Sequence, residues 1–147
     1  MINLRSILLV EDNPNDVELT IQSLFEHNLA NRVLVVKDSV EAVEYLRYEG
    51  AYFHKKEDSA VALLDIKMPR MDGIDVLKTI REDSALKMLP VVMLSSSREE
   101  PDLIKCYELG GNAYIVKSVN FNNFFETVKH LGVFWALINE FLPNAEI

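Results

Sequence analysis

Cysteine is nearly absent: Cys106 stands alone among 147 residues, so no internal disulfide can form and there is no basis for a thiolate metal site. Long apolar runs without charges are missing too, which excludes a membrane-spanning helix. The opening Met1-Ile2-Asn3-Leu4-Arg5-Ser6 leads into a strand rather than the apolar stretch of a secretory signal. A soluble, cytoplasmic protein is expected, with no membrane partner. Positive charge is in the minority, at 15 Lys and Arg against 23 Asp and Glu, for a net charge of −8. Nucleic acid is therefore not expected as a partner, since binding it needs a basic surface to replace phosphate counterions. Low-complexity segments, internal repeats and room for a second domain are lacking as well. What the chain does have is 49% hydrophobic residues, enough for one sizeable core.

Those residues fall into alternating short runs and helix-period segments. Ser6 to Val10, Arg32 to Val36, Ala60 to Leu64, Pro90 to Leu94 and Ala113 to Val116 read as strands. Their nearly continuous apolar character suits parallel strands covered on both faces. Helices are expected over Asn15 to Asn28, Ser39 to Glu49, Asp72 to Glu82, Pro101 to Leu109 and Asn120 to Phe141. Ser39 and Asp72 are expected to cap the second and third helices, and Gly110-Gly111 to end the fourth. At the fourth helix Ser97 with Glu100 makes a capping-box pattern, yet Pro101 suits the first helical position better, and the later start is preferred. The polar stretch from Gly50 to Ser59, with His54-Lys55-Lys56, reads as a surface loop. Five βα units with right-handed crossovers give a doubly wound α/β sheet whose functional residues gather at the carboxyl ends of its strands. The residues themselves do not give the strand order.

The strand ends carry the chemistry. Glu11 and Asp12 follow the first strand, Asp65 ends the third, Ser95 the fourth and Lys117 the fifth. If the first and third strands are neighbours, three carboxylates converge, and their mutual repulsion calls for a cation. Hard oxygen donors without thiolates or clustered histidines suit Mg²⁺ or Mn²⁺. Lys117 can neutralise an oxygen of an acyl phosphate on Asp65, and Ser95 can donate a hydrogen bond to another. Singly, each has an ordinary explanation: Asp12-Asn13-Pro14 as a turn and cap, Ser95-Ser96-Ser97 as a polar loop, Lys117 as a solvated strand end. Together, acid pair, acid, hydroxyl and lysine at successive strand ends are hard to explain in that way.

Val10-Glu11-Asp12-Asn13, Leu64-Asp65-Ile66-Lys67-Met68-Pro69-Arg70-Met71-Asp72-Gly73, Leu94-Ser95 and Tyr114-Ile115-Val116-Lys117 resemble the receiver domain of two-component response regulators over nearly the whole chain, 1–147. That resemblance implies a flavodoxin-like (βα)5 fold in a single domain, strand order 2-1-3-4-5, an order for which a chemotaxis receiver is a standing example. It makes Asp65 the phosphoryl acceptor, supplied by a phosphohistidine of a sensor histidine kinase. Glu11, Asp12, Asp65 and the backbone carbonyl of Lys67 would hold the metal, Ser95 and Lys117 would clamp the phosphoryl oxygens, and Ser95 with Tyr114 would form the switch. Lys67 and Ser97 stand where this family tunes attack of water on the acyl phosphate. Receivers usually have proline after the lysine, in a cis peptide; here the residue is Ser118. A non-proline cis bond costs about 2.5 to 4 kcal/mol, so the bond is either strained or trans.

In the last helix, expected over about 120–142, Phe121, Phe124, Phe125, Val128, Leu131 and Trp135 form a stripe suited to the sheet. Val133, Phe134, Leu137 and Phe141 lie opposite it and suggest a homodimer surface, against a kink near Gly132 that would bury both stripes in one chain. The long connection around His54 and the ending Leu131 to Pro143 resemble the single-domain regulators that accompany bacterial and cyanobacterial phytochromes. A phytochrome-type kinase is then the expected donor; no output domain is expected, and the signal leaves through a surface to a downstream protein that the sequence does not identify. Two other classes remain. One is a constitutive dimerisation or adaptor module with a vestigial acidic pocket. The other is a phosphatase using Asp65, disfavoured because Lys67 stands where an acid/base carboxylate is needed.

Overall fold

The computed structural model describes residues 6–25, 33–50, 59–68, 70–96, 100–117 and 126–130. Five strands, β1 (Ser6–Val10), β2 (Val33–Val36), β3 (Ser59–Asp65), β4 (Val91–Ser95) and β5 (Ala113–Val116), form one sheet. Its order is β2-β1-β3-β4-β5, and every neighbouring pair is parallel. The burial of each strand follows from its place. The inner strands β1, β3 and β4 are buried along their whole length, whereas the edge strands β2 and β5 are mostly half-buried.

Alternate residues of the inner strands serve opposite faces, as the two-residue period of a strand requires. Leu8, Val10, Ala62, Leu64, Val91 and Met93 point to one face. There they meet Ala42, Tyr45 and Leu46 of α2 (Ser39–Leu46), Val76, Leu77 and Ile80 of α3 (Gly73–Glu82), and Cys106 of α4 (Glu100–Glu108). Ile7, Leu9, Val61, Leu63, Val92 and Leu94 point to the other, against Val17 and Leu19 of α1 (Pro14–Phe25) and Val128 of the helical stretch 126–130. This is the doubly wound flavodoxin-like arrangement.

Local chemistry explains the helix ends. The Asn13 side chain accepts from the backbone N–H of Asn15 and Asp16 at 2.9 and 3.3 Å, and Pro14 takes the first helical position of α1, where its missing N–H costs nothing. The cap of α2 is Asp38, not Ser39. Asp38 is extended and its carboxylate accepts from Val40 and Glu41, while Ser39 is buried inside the first turn and its hydroxyl has no hydrogen-bond partner among the described residues. The same helix stops at Leu46, short of the expected Glu49, because Tyr48 takes a left-handed φ of 57°. Asp72 caps α3 as expected, through Asp75 N at 2.9 Å. Gly110, at φ 88°, turns the chain out of α4, and the Gly111 N–H closes on the Cys106 carbonyl at 2.8 Å. Helix α4 (Glu100–Glu108) takes in the expected Pro101 and is described from Glu100 on, while Ser97 lies outside the described residues. So do the loop around His54, Ser118, and the surface expected from Val133, Phe134, Leu137 and Phe141. Among the described residues, no helix is long and apolar enough to cross a membrane.

Candidate functional site

The sheet order puts β1 beside β3, so the acidic residues that follow them meet. Glu11, Asp12 and Asp65 each place a carboxylate oxygen within 4.8 Å of the others. Glu11 and Asp65 are buried and Asp12 is exposed, so the cluster opens to solvent on the Asp12 side. Backbone bonds fix the strand ends: Glu11 N–H donates to Val36 O at 3.0 Å, and Ile66 N–H to Leu94 O at 3.0 Å. A further bond holds each buried carboxylate, from Asn13 N to Glu11 Oε1 at 3.1 Å and from Lys67 N to Asp65 Oδ1 at 3.3 Å.

Lys117 reaches this cluster from the far edge of the sheet. Its N–H donates to Ser95 O at 2.6 Å, which fixes its backbone to the end of β4. Its ammonium donates to Glu11 Oε2 at 2.6 Å, Asp16 Oδ2 at 2.9 Å and Asp65 Oδ2 at 3.2 Å. Burial pushes Glu11 up to about 7; Lys117 opposes that shift and neighbouring Asp65 reinforces it. Burial acts in the other direction on the Lys117 ammonium, yet the carboxylates of Glu11, Asp16 and Asp65 hold it above its ordinary range. One ammonium therefore faces more carboxylate charge than it can neutralise. The donors around the surplus are all hard oxygens and the cluster is open on one side, so these residues fit a divalent ion of the Mg²⁺ or Mn²⁺ type.

Ser95 is buried at the end of β4, one residue beyond the Leu94 that pairs with Asp65. Tyr114 pairs with Met93 and packs, half-buried, against the core face covered by α2, α3 and α4. The structure thus gathers Glu11, Asp12, Asp65 and Lys117 at one edge of the sheet, with Ser95 beside them and Tyr114 further down β5.

Three residues escaped the sequence reading. Asp16 is the third carboxylate on Lys117; its only signal is that it lies one helical turn beyond Asp12, where an acid also suits the helix dipole. Gly73 begins α3 with its Cα against Asp65: a Cβ there would lie 2.3 Å from Asp65 O and 2.9 Å from Asp65 C. A glycine at a helix start that any residue could occupy was the available clue. Arg70, left-handed at φ 67°, donates from Nε to Asp38 Oδ2 at 2.8 Å and from Nη2 to the same oxygen. That guanidinium holds the Asp38 carboxyl below its usual range and ties the loop after Asp65 to the cap of α2.

Comparison with known proteins shows the family and the fold. The family model described as the response regulator receiver domain matches residues 7–129. Response regulator Rcp1 of Synechocystis is 35% identical over 129 residues, which is 88% of this chain and 87% of that protein. A structure of the Mn²⁺-bound form of Rcp1 superposes with a TM-score of 0.84 at 31% identity, covering 95% of this chain and 99% of that one. The phosphorylated cyanobacterial phytochrome response regulator RcpA gives a TM-score of 0.87 at 38% identity, covering 94% and 98%. The bacteriophytochrome response regulator AtBRR is 54% identical, with a TM-score of 0.74 over 95% and 100%.

Proposed function

The chain belongs to the response regulator receiver family, and we propose that it works as a phosphorylation switch with Asp65 as acceptor. The observation that carries this reading is the convergence of Glu11, Asp12 and Asp65 within 4.8 Å, with the Lys117 ammonium 3.2 Å from Asp65 Oδ2. In the reaction, an Asp65 carboxylate oxygen attacks the phosphorus of a phosphohistidine on a sensor kinase. The phosphorus–nitrogen bond breaks, the imidazole keeps that electron pair and takes a proton from solvent, and an acyl phosphate remains on Asp65.

The chain's own residues prepare this step. Burial removes Asp65 from bulk water, and the Lys67 N–H and Lys117 ammonium orient its two oxygens. Glu11, Asp12, Asp65 and the Lys67 carbonyl would hold Mg²⁺ or Mn²⁺, which when bound neutralises phosphoryl oxygens. Once the acyl phosphate exists, Lys117 and Ser95 pair with its oxygens. The dianionic group adds about −1.5 to −2 charge, enough to bias an existing equilibrium between two surfaces. Ser95 and Tyr114 lie on adjacent strands and form the path by which that bias reaches β5. The protein is read as a cytoplasmic signalling protein, with a phytochrome-type kinase as donor, in view of its similarity to the phytochrome response regulator RcpA and the bacteriophytochrome response regulator AtBRR. Its readout is read as homodimerisation through Val133, Phe134, Leu137 and Phe141, on the sequence pattern alone, with an unidentified protein downstream.

Intact mass after incubation with acetyl phosphate and Mg²⁺ tests the switch. One phosphoryl increment on the wild type and none on Asp65→Asn is the expected result. No increment on the wild type, under conditions that phosphorylate another receiver, would point to the constitutive adaptor instead. Sizing both states then tests the dimer.

A further inference from the structure

Lys117 bridges two kinds of carboxylate. Glu11 and Asp65 belong to the group whose oxygens can hold a divalent cation; Asp16 lies outside it. Their surroundings differ as well, since the side chain of Glu11 is 1% exposed and that of Asp16 is 32% exposed. Asp16 is also anchored independently of the cluster. Its N–H is capped by Asn13 Oδ1 at 3.3 Å, and its carbonyl accepts from Thr20 Oγ1 at 2.8 Å.

We propose that Asp16 is a positioning residue that retains the Lys117 ammonium when a divalent cation claims Glu11 and Asp65, so that these two carboxylates are available to the cation. This rests on the metal reading given above. A cation and an ammonium compete for the same two carboxylates, and their like charges repel at such separations. The ammonium needs another anion close by if it is to yield without leaving the site, and Asp16 Oδ2, at 2.9 Å, is that anion. Glu11 and Asp65 cannot take this part, because they are the ligands being contested. With Asp16 neutralised, Lys117 leans more heavily on Glu11 and Asp65, and cation binding weakens. The same anchor keeps the ammonium within reach of a phosphoryl group arriving on Asp65.

The test is calorimetric titration of the full chain with Mg²⁺ alone, in wild type, Asp16→Asn, Lys117→Met and the double variant. Asp16→Asn is expected to weaken Mg²⁺ about fivefold or more when Lys117 is present, and less than about twofold in the Lys117→Met background. The background dependence separates an effect through the lysine from simple loss of a nearby charge. Asp16→Glu, which keeps the carboxylate, is expected to stay within about twofold of wild type. The same loss in both backgrounds, no loss in Asp16→Asn, or a loss in Asp16→Glu equal to that in Asp16→Asn would overturn the proposal. These results require that wild type binds Mg²⁺; if it does not, the metal reading falls and this proposal falls with it.

Discussion

Two half-buried cations hold opposite edges of the same sheet, and their partners differ in kind. Arg81, at the end of α3, donates from Nε and Nη2 to Gly110 O at 2.9 and 2.8 Å. It also donates from Nη1 to Leu89 O and Lys87 O at 2.7 and 3.2 Å, and from Nη2 to Asn112 Oδ1 at 2.9 Å. Asn112 Oδ1 in turn accepts from Val91 N at 2.8 Å, so one guanidinium joins α3 to the segments that lead into β4 and β5. Every one of these acceptors is neutral. Lys117, at the carboxyl edge, has three anions instead. Neutral acceptors make no claim on the charge of their donor, and the Arg81 arrangement has no reason to rearrange when ions come and go. Anionic acceptors create a balance that a metal ion or a phosphoryl group can tip. The amino edge is built for permanence and the carboxyl edge for exchange.

The sharpest way to break this contrast is to remove Lys117. Leaving buried Glu11 and Asp65 uncompensated is expected to cost about 3 kcal/mol at pH 8 without divalent cations, and the deficit in Lys117→Met should shrink when Mg²⁺ is added. Urea unfolding with and without Mg²⁺ measures both quantities. A deficit that Mg²⁺ does not change would mean that the lysine is structural, as Arg81 is. Arg81→Ala should lose about 2 kcal/mol in the same assay, unconditionally, with Mg²⁺ affinity within about twofold of wild type. Impaired Mg²⁺ binding in that variant would show that the two edges are coupled. The smallest effect concerns pH. Glu11 sits near 7, above the ordinary carboxylate range, so below pH 7 it takes up a proton and ceases to be an anionic ligand. Mg²⁺ affinity is therefore expected to be weaker at pH 6 than at pH 8, by up to about tenfold. Equal titrations at the two pH values would remove Glu11 from the ligand set.

The sequence reveals the carboxyl edge better than the amino edge, for physical reasons. Asp65, Ser95 and Lys117 each end a short apolar run, and a polar residue at such a boundary is visible in one dimension. The roles themselves came with the family resemblance, as did the strand order. Arg81 is on an amphipathic helix where any charged residue would suit the solvent face, and its acceptors are backbone carbonyls apart from Asn112 Oδ1, which no sequence pattern marks. Asp16 is hidden for a similar reason, since an acid in the first turn of a helix is explained by its dipole alone. At α2 the sequence pointed to Ser39 as the cap, whereas the adjacent Asp38 takes that place and Ser39 is buried. Within the last helix Val128 packs against the sheet as its stripe implied.

Gly73 sets a limit on how Asp65 can respond to a new group. With the start of α3 pressed against the Asp65 carbonyl, the backbone behind Asp65 has little slack. On the proposed role, a phosphoryl group on Asp65 would not be accommodated by a retreat into the protein, and its bulk would project outward, towards the Lys117 ammonium and the exposed Asp12. Asp65 would then act like a stud set in a rigid wall. The parts free to yield would be the side chains in front of it, so that motion on phosphorylation would be delivered to the surface rather than absorbed in the core.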